Sequence, residues 1–133
     1  MVKIESKNVT VNCSAEECFN FLSDMNNYEQ ILPEKDISEW ESTNKSCFFK
    51  IKKTYALELI FSHSEPFSAI HIKSGDKSPI KFELDMVLNQ IENACEAQLV
   101  CNADINPFLK MIIEQPLKYL FNYMADQLVA VKE

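Results

Sequence analysis

The chain has 133 residues, 47% of them hydrophobic and 25% charged, the size and balance of a single domain in water. Glycine occurs once, at Gly75, and arginine not at all, leaving 13 lysines against 20 acidic residues and a net charge of -7. This excludes glycine-rich phosphate loops, the serine nucleophile elbow and the bidentate guanidinium fork, and it repels nucleic acid and anionic bilayers.

Residues Met1 to Lys7 lack the apolar core of a secretory leader, and no stretch reaches the roughly 18 uninterrupted apolar residues of a membrane span. The five cysteines are an odd number, so reduced thiols and a cytoplasmic setting are expected, with no integral membrane association. No repeat or linker divides residues 1–133, and one domain is expected.

Val9 and Val11 alternate with Thr10 and Asn12, while Val2 and Ile4 hold the opposite parity. This predicts extended chain with a bulge near Ser6 to Asn8, or two strand pieces. Ser14-Ala-Glu-Glu17 reads as a capping box, and Cys18, Phe21, Leu22 and Met25 follow at helical spacing. Tyr28, Ile31 and Leu32 make a second short helical stripe, capped by Asp24 and ended by Pro33.

From Ile37 to Ile105 the period becomes two. Cys47, Phe49 and Ile51 share a parity, as do Tyr55, Leu57, Leu59, Phe61 and His63. Ser68, Ile70 and Ile72 lead into a turn at Ser74 to Ser78, where Gly75 invites a left-handed conformation. Ile80, Phe82, Leu84, Met86 and Leu88, then Cys95, Ala97, Leu99, Cys101 and Ala103, continue the pattern against charged residues such as Lys50, Glu58, Lys81, Glu83 and Asp85. Such alternation predicts a meander of antiparallel hairpins, wet on one face. Asn106-Pro107 then opens a helix of about 25 residues to Val131, with Leu117, Leu120, Phe121, Met124 and Leu128 at helical spacing. Pro116 lies inside it and must remove the bond to the Ile112 carbonyl, bending the helix.

The segment Val11-Asn-Cys-Ser14-Ala-Glu-Glu-Cys-Phe19-Asn-Phe-Leu22-Ser-Asp24, the Ile31-Leu-Pro33 stop and the terminal helix together resemble the START-like, or SRPBCC, superfamily. That superfamily includes polyketide cyclases, pollen-allergen-type proteins and lipid-transfer domains. The resemblance implies an α+β helix-grip fold over the whole chain. A curved antiparallel sheet of about six or seven strands would wrap a long C-terminal helix, with two short helices after the first strand. It also implies a cavity between sheet and helix for an apolar molecule. Lining residues would be Trp40, Phe49, Ile51, Leu57, Leu59, Phe61, His63, Ile70, Ile72, Phe82, Leu84, Met86 and Leu99 from the strands, and Met111, Leu117, Leu120, Phe121 and Met124 from the helix. The glycine-rich loop of the pollen-allergen branch is missing, since Glu41-Ser-Thr-Asn-Lys45 contains no glycine.

An alternating apolar face beneath an amphipathic helix is equally the pattern of a filled core. Chemistry has few candidates. His63, on the parity of Leu57 to Phe61, could act as a general base at the cavity mouth, whereas His71 shares the parity of Lys73 and faces solvent. Glu58, Glu83 and Asp85 fall on the charged face as cross-strand partners of lysines. Tyr28, Tyr55, Tyr119 and Tyr123 could orient a ligand. Neither the pair Cys13 and Cys18 nor the pair Cys95 and Cys101 has metal-site spacing, and no cofactor or catalytic residue is expected. The expected function is non-catalytic binding or carriage of a small hydrophobic molecule or lipid, with room for a weak homodimer. The alternatives are a cyclase or aromatase-type enzyme using His63 or a tyrosine, and a protein-interaction module using Leu128 to Val131 or an exposed strand edge.

Overall fold

The computed structural model describes residues 1–132. Strands β1 (Val2–Glu5) and β2 (Val9–Val11) precede helix α1 (Ala15–Ser23) and a 3-10 helix (Met25–Ile31). Strands β3 (Ile37–Ser42), β4 (Ser46–Ile51), β5 (Tyr55–Glu65), β6 (Ala69–Ser74), β7 (Lys81–Ile91) and β8 (Ala94–Asp104) follow, and helix α2 (Pro107–Val131) comes last. The sheet order is β1-β8-β7-β6-β5-β4-β3, all antiparallel, with β2 also on β8. The predicted meander is therefore β3 to β8, closed at one edge by the N-terminal strands.

The phase change at the N-terminus has a clear cause. Glu5 pairs with Val100 and Val9 with Ala97, so the N-terminal chain carries one residue more than its partner. Ser6 occupies the break, where its N–H donates to the Leu99 carbonyl at 2.9 Å and its Oγ accepts from the Leu99 N–H at 2.9 Å. The helix starts also follow the sequence. Ser14 Oγ accepts from the Glu17 N–H at 3.1 Å, Asp24 Oδ1 from Asn26 at 3.1 Å, and Asn106 Oδ1 from Leu109 at 2.8 Å.

The inner face of the sheet supplies Cys47, Phe49, Leu57, Leu59, Ile70, Ile72, Phe82, Leu84, Met86, Leu88 and Leu99 to the core. From α2 come Leu117, Leu120, Phe121, Met124, Ala125 and Leu128. The outer face carries matched charges in register, with Lys73 opposite Glu83, His71 opposite Asp85 and Lys81 opposite Asp104. Leu128, proposed from sequence as part of a partner contact, is instead buried, and Val129 and Val131 pack against the core.

Gly75 differs from expectation, because no glycine takes a positive φ. A Cβ there would overlap the Glu58 side chain as it lies, so a larger residue would displace that carboxylate. That side chain is held in place by the Lys77 N–H, which donates to Glu58 Oε1 at 3.1 Å. The left-handed positions fall on Glu39, Lys52, Lys53 and Phe67. Lys52 and Lys53 form the centre of the β4–β5 turn, with the Thr54 N–H donating to the Ile51 carbonyl at 3.0 Å. Positive φ at both central positions is the type I′ geometry that matches strand twist, here adopted without glycine.

Candidate ligand-binding site

Half of the expected lining converges on the sheet beneath the C-terminal part of α2. Phe49, Leu57, Leu59, Phe82, Leu84, Leu117, Leu120, Phe121 and Met124, joined by Cys101, surround a void of about 10 Å³. That is scarcely room for one water, and the walls offer no polar partners to hold it. Met86, Leu99 and Met124 border a second void of about 10 Å³ nearer α1. Ile70 and Ile72 are buried on the same face and touch neither void. The interior between sheet and helix is thus filled by side chains.

Empty space lies further out. A half-open pocket of about 90 Å³ is walled by Ile51, Tyr55, Ala56 and Leu57 from the β4–β5 hairpin, by Pro79 and Ile80 ahead of β7, and by Ile113, Pro116 and Leu117 from α2. Each wall has a local reason. The type I′ turn brings Ile51 opposite Tyr55, and Pro79-Ile80 closes the loop that Gly75 allows to pack on Glu58. Ile113 stands one turn before Leu117 and continues its stripe. Leu57 and Leu117 border both the pocket and the inner void, so two side chains form the partition between them.

Above this pocket the helix leaves the sheet. None of the residues from Pro107 to Pro116 is buried, and Phe108, Met111 and Ile112 are 70%, 83% and 48% exposed. Met111 was expected in the cavity and does not reach it. It lies six residues before Leu117, about 120° around the helix and off the stripe that Ile113 occupies. Pro116 leaves the Ile112 carbonyl without its helical donor, and the exposure of Ile112 lets water replace it.

The remaining expected lining residues lie elsewhere. His63 is on the outer face, because the β5–β6 register shifts between Phe61 and His63 and every later side chain changes side. Its ring stacks on His71, with centroids 4.3 Å apart. His71 in turn bonds Asp85 Oδ1 through Nδ1 and Glu65 Oε2 through Nε2, both at 2.6 Å. Those two carboxylates, Glu65 first and Asp85 second, raise the His71 pKa above the usual imidazole value. Trp40 is half-buried and stacks on Phe49 at 6.0 Å, but it faces a separate groove beside Tyr123 and Gln127. Phe61 is half-buried beneath the Lys45 ammonium, 4.1 Å from its ring centroid.

The site has little capacity for proton chemistry. Cys101 is the one ionisable residue of the inner void, and burial pushes its pKa up to about 12. Tyr55 is the one at the outer pocket. Tyr28 is occupied elsewhere, donating to the Leu22 carbonyl at 2.8 Å in full burial, which raises its pKa. Among the described residues no cluster of His, Cys, Asp or Glu is arranged to hold a metal ion, and no helix is long and apolar enough to cross a membrane.

Solved structures share this architecture at full length. A START superfamily protein from Mycobacterium smegmatis superposes with a TM-score of 0.71 at 14% identity, over 98% of this chain and 96% of that one. The fold is START-like. Norcoclaurine synthase from Thalictrum flavum matches this chain with a TM-score of 0.75 at 11% identity, over 98% of this chain and 85% of the synthase. The di-domain ARO/CYC protein BexL matches at 0.67 and 8% identity, over 96% of this chain and 46% of BexL. No protein-family model and no curated protein matches the sequence.

Sequence reasoning missed Pro79, Ile80, Ile113 and Pro116 as one wall. The signal was present: an apolar pair at the end of a polar turn, and two isoleucines one turn before a proline within a helix.

Proposed function

We propose that the protein binds a small hydrophobic molecule, or one chain of a lipid, at the mouth beneath the N-terminal half of α2 and carries it without transforming it. The observation that carries this reading is the 90 Å³ apolar pocket under a helix segment that exposes Phe108, Met111 and Ile112. Ligand pockets are usually about 300–1,000 Å³, so the pocket as it stands admits only part of a ligand. Displacing the Leu57 and Leu117 side chains joins it to the inner void. Movement of the helix about Pro116, where one backbone bond is already missing, enlarges it further. Apolar walls supply affinity through burial, at about 25 cal/mol per Å² removed from water, and the Tyr55 hydroxyl supplies a single polar handle.

A synthase or cyclase reading draws support from the enzymes that share the fold. Against it stands the lining, because acid-base catalysis needs titratable groups at the reacting atoms and the two spaces offer only Tyr55 and a protonated Cys101. A cytoplasmic setting with reduced thiols, and a weak homodimer, belong to the same reading. The test is native mass spectrometry of protein purified without detergent from the cell that makes it. A co-purifying apolar species, lost on Leu117→Trp substitution, is expected. Protein of bare-chain mass that also takes up no added decanoate contradicts the proposal.

A further inference from the structure

Buried thiols meet far from the mouth, where the end of β2 turns into α1. Cys13 immediately precedes the cap residue Ser14, and Cys18 is the fourth residue of the helix. These are the two positions that a hydrophobic staple brings into contact across a helix start. Here both are cysteine, and their Sγ atoms lie 2.9 Å apart, about 0.9 Å beyond a covalent S–S bond of roughly 2.04 Å. The backbone around them is clamped. The Cys13 N–H donates to the Val11 carbonyl at 2.9 Å and the Cys18 N–H to the Ser14 carbonyl at 3.1 Å. The Ala15 N–H donates to Gln90 Oε1 at 2.7 Å, which ties the first helical turn to the β7–β8 hairpin. Cys95, paired with Val11 in the sheet, is a third thiol beside them, and its Sγ bonds its own strand at the Glu96 carbonyl, 3.3 Å away.

We infer that Cys13 and Cys18 form a reversible oxidation site, a staple that peroxide converts from two thiols into a disulfide. Cys13 reacts first, because it retains 8% exposure while Cys18 and Cys95 are at 0%. Burial also raises the pKa of both Cys18 and Cys95, which disfavours their direct reaction with peroxide. The Cys13 thiolate attacks one peroxide oxygen and the O–O bond breaks, giving a sulfenic acid and a hydroxide that leaves as water with the thiol proton. The Cys18 sulfur then attacks the Cys13 sulfur, the S–O bond breaks, and the Cys18 proton departs with that hydroxyl as a second water. Two thiols lose two electrons and one peroxide becomes two waters. A dithiol reductant reverses the change by thiol–disulfide exchange. The bond fixes the entry of the chain into α1 and leaves the ligand mouth untouched.

Wild-type, Cys95→Ala and Cys13→Ala proteins are treated with hydrogen peroxide, denatured, alkylated and cut after lysine. Cys13 and Cys18 lie in the peptide Asn8–Lys35, and Cys95 in Phe82–Lys110. The expected result is that Asn8–Lys35 loses the mass of two hydrogens and resists alkylation until reduced. This should occur in wild type and Cys95→Ala and be absent in Cys13→Ala. Full alkylation of both thiols at a dose that already oxidises the exposed Met111 overturns the inference, and so does a cross-link joining the two peptides. The wild-type arm alone decides the matter if a variant folds poorly.

Discussion

Helix α2 is one continuous helix with two different surroundings. From Leu117 onward it places Leu117, Leu120, Phe121, Met124, Ala125 and Leu128 against the sheet. Before Pro116 it carries equally apolar side chains, yet Phe108, Met111 and Ile112 stand in water. Helix propensity and hydrophobicity are similar in the two halves, so the difference arises from what lies beneath. Under the second half the facing side chains close the space to voids of about 10 Å³, whereas under the first half the hairpin ends stop short and leave the 90 Å³ pocket. A folded protein retains such an apolar surface chiefly where something else covers it.

Substitutions sharpen the contrast, and the largest effect belongs to the gripped half. Phe121→Ala should destabilise by about 3–5 kcal/mol in urea unfolding, since it deletes a ring buried over the inner void. Leu117→Ala, at the partition, should cost roughly 2–3 kcal/mol. It should also increase uptake of an apolar dye, because it joins pocket to void. Pro116→Ala restores the N–H facing the Ile112 carbonyl and should stabilise by about 1 kcal/mol while slowing ligand exchange. Met111→Ala should change stability by less than about 0.5 kcal/mol. A large loss there would mean that the free half is packed after all.

A pH series provides a control away from both halves. The carboxylates of Glu65 and Asp85 raise the His71 pKa in the folded state. Their contribution is complete below the unfolded value of about 6.5 and fades as pH climbs through the raised folded value. Wild type should therefore exceed His71→Gln in stability most at pH 6 and least at pH 9, with ligand uptake unaffected.

Much of this architecture can be read from the order of residues, because alternation and helix caps are local. Ser14, Asp24 and Asn106 cap where their chemistry predicts, and the parity change at Ser6 is a bulge. Failures came where a local rule meets a tertiary event. A period of two continued through Ser62 puts His63 on the inner face, but the register slip there reverses it. Met111 belongs to the expected lining but lies off the stripe, which Ile113 continues toward the pocket. Gly75 invites a left-handed turn by residue type, yet its φ is not positive and its missing Cβ leaves room for the Glu58 side chain. Whether an apolar face encloses a cavity depends on the summed volume of facing side chains and on where the strands end, and periodicity records neither.

Titration of methyl-labelled protein with decanoate, followed by methyl-resolved NMR, tests the central claim most directly. Saturable shifts at Ile51, Ile80 and Ile113, spreading inward to Leu57 and Leu117, are the predicted result. Unmoved methyls at those positions, or shifts confined to Leu32 and Ile37 in the groove beside Trp40, would contradict it.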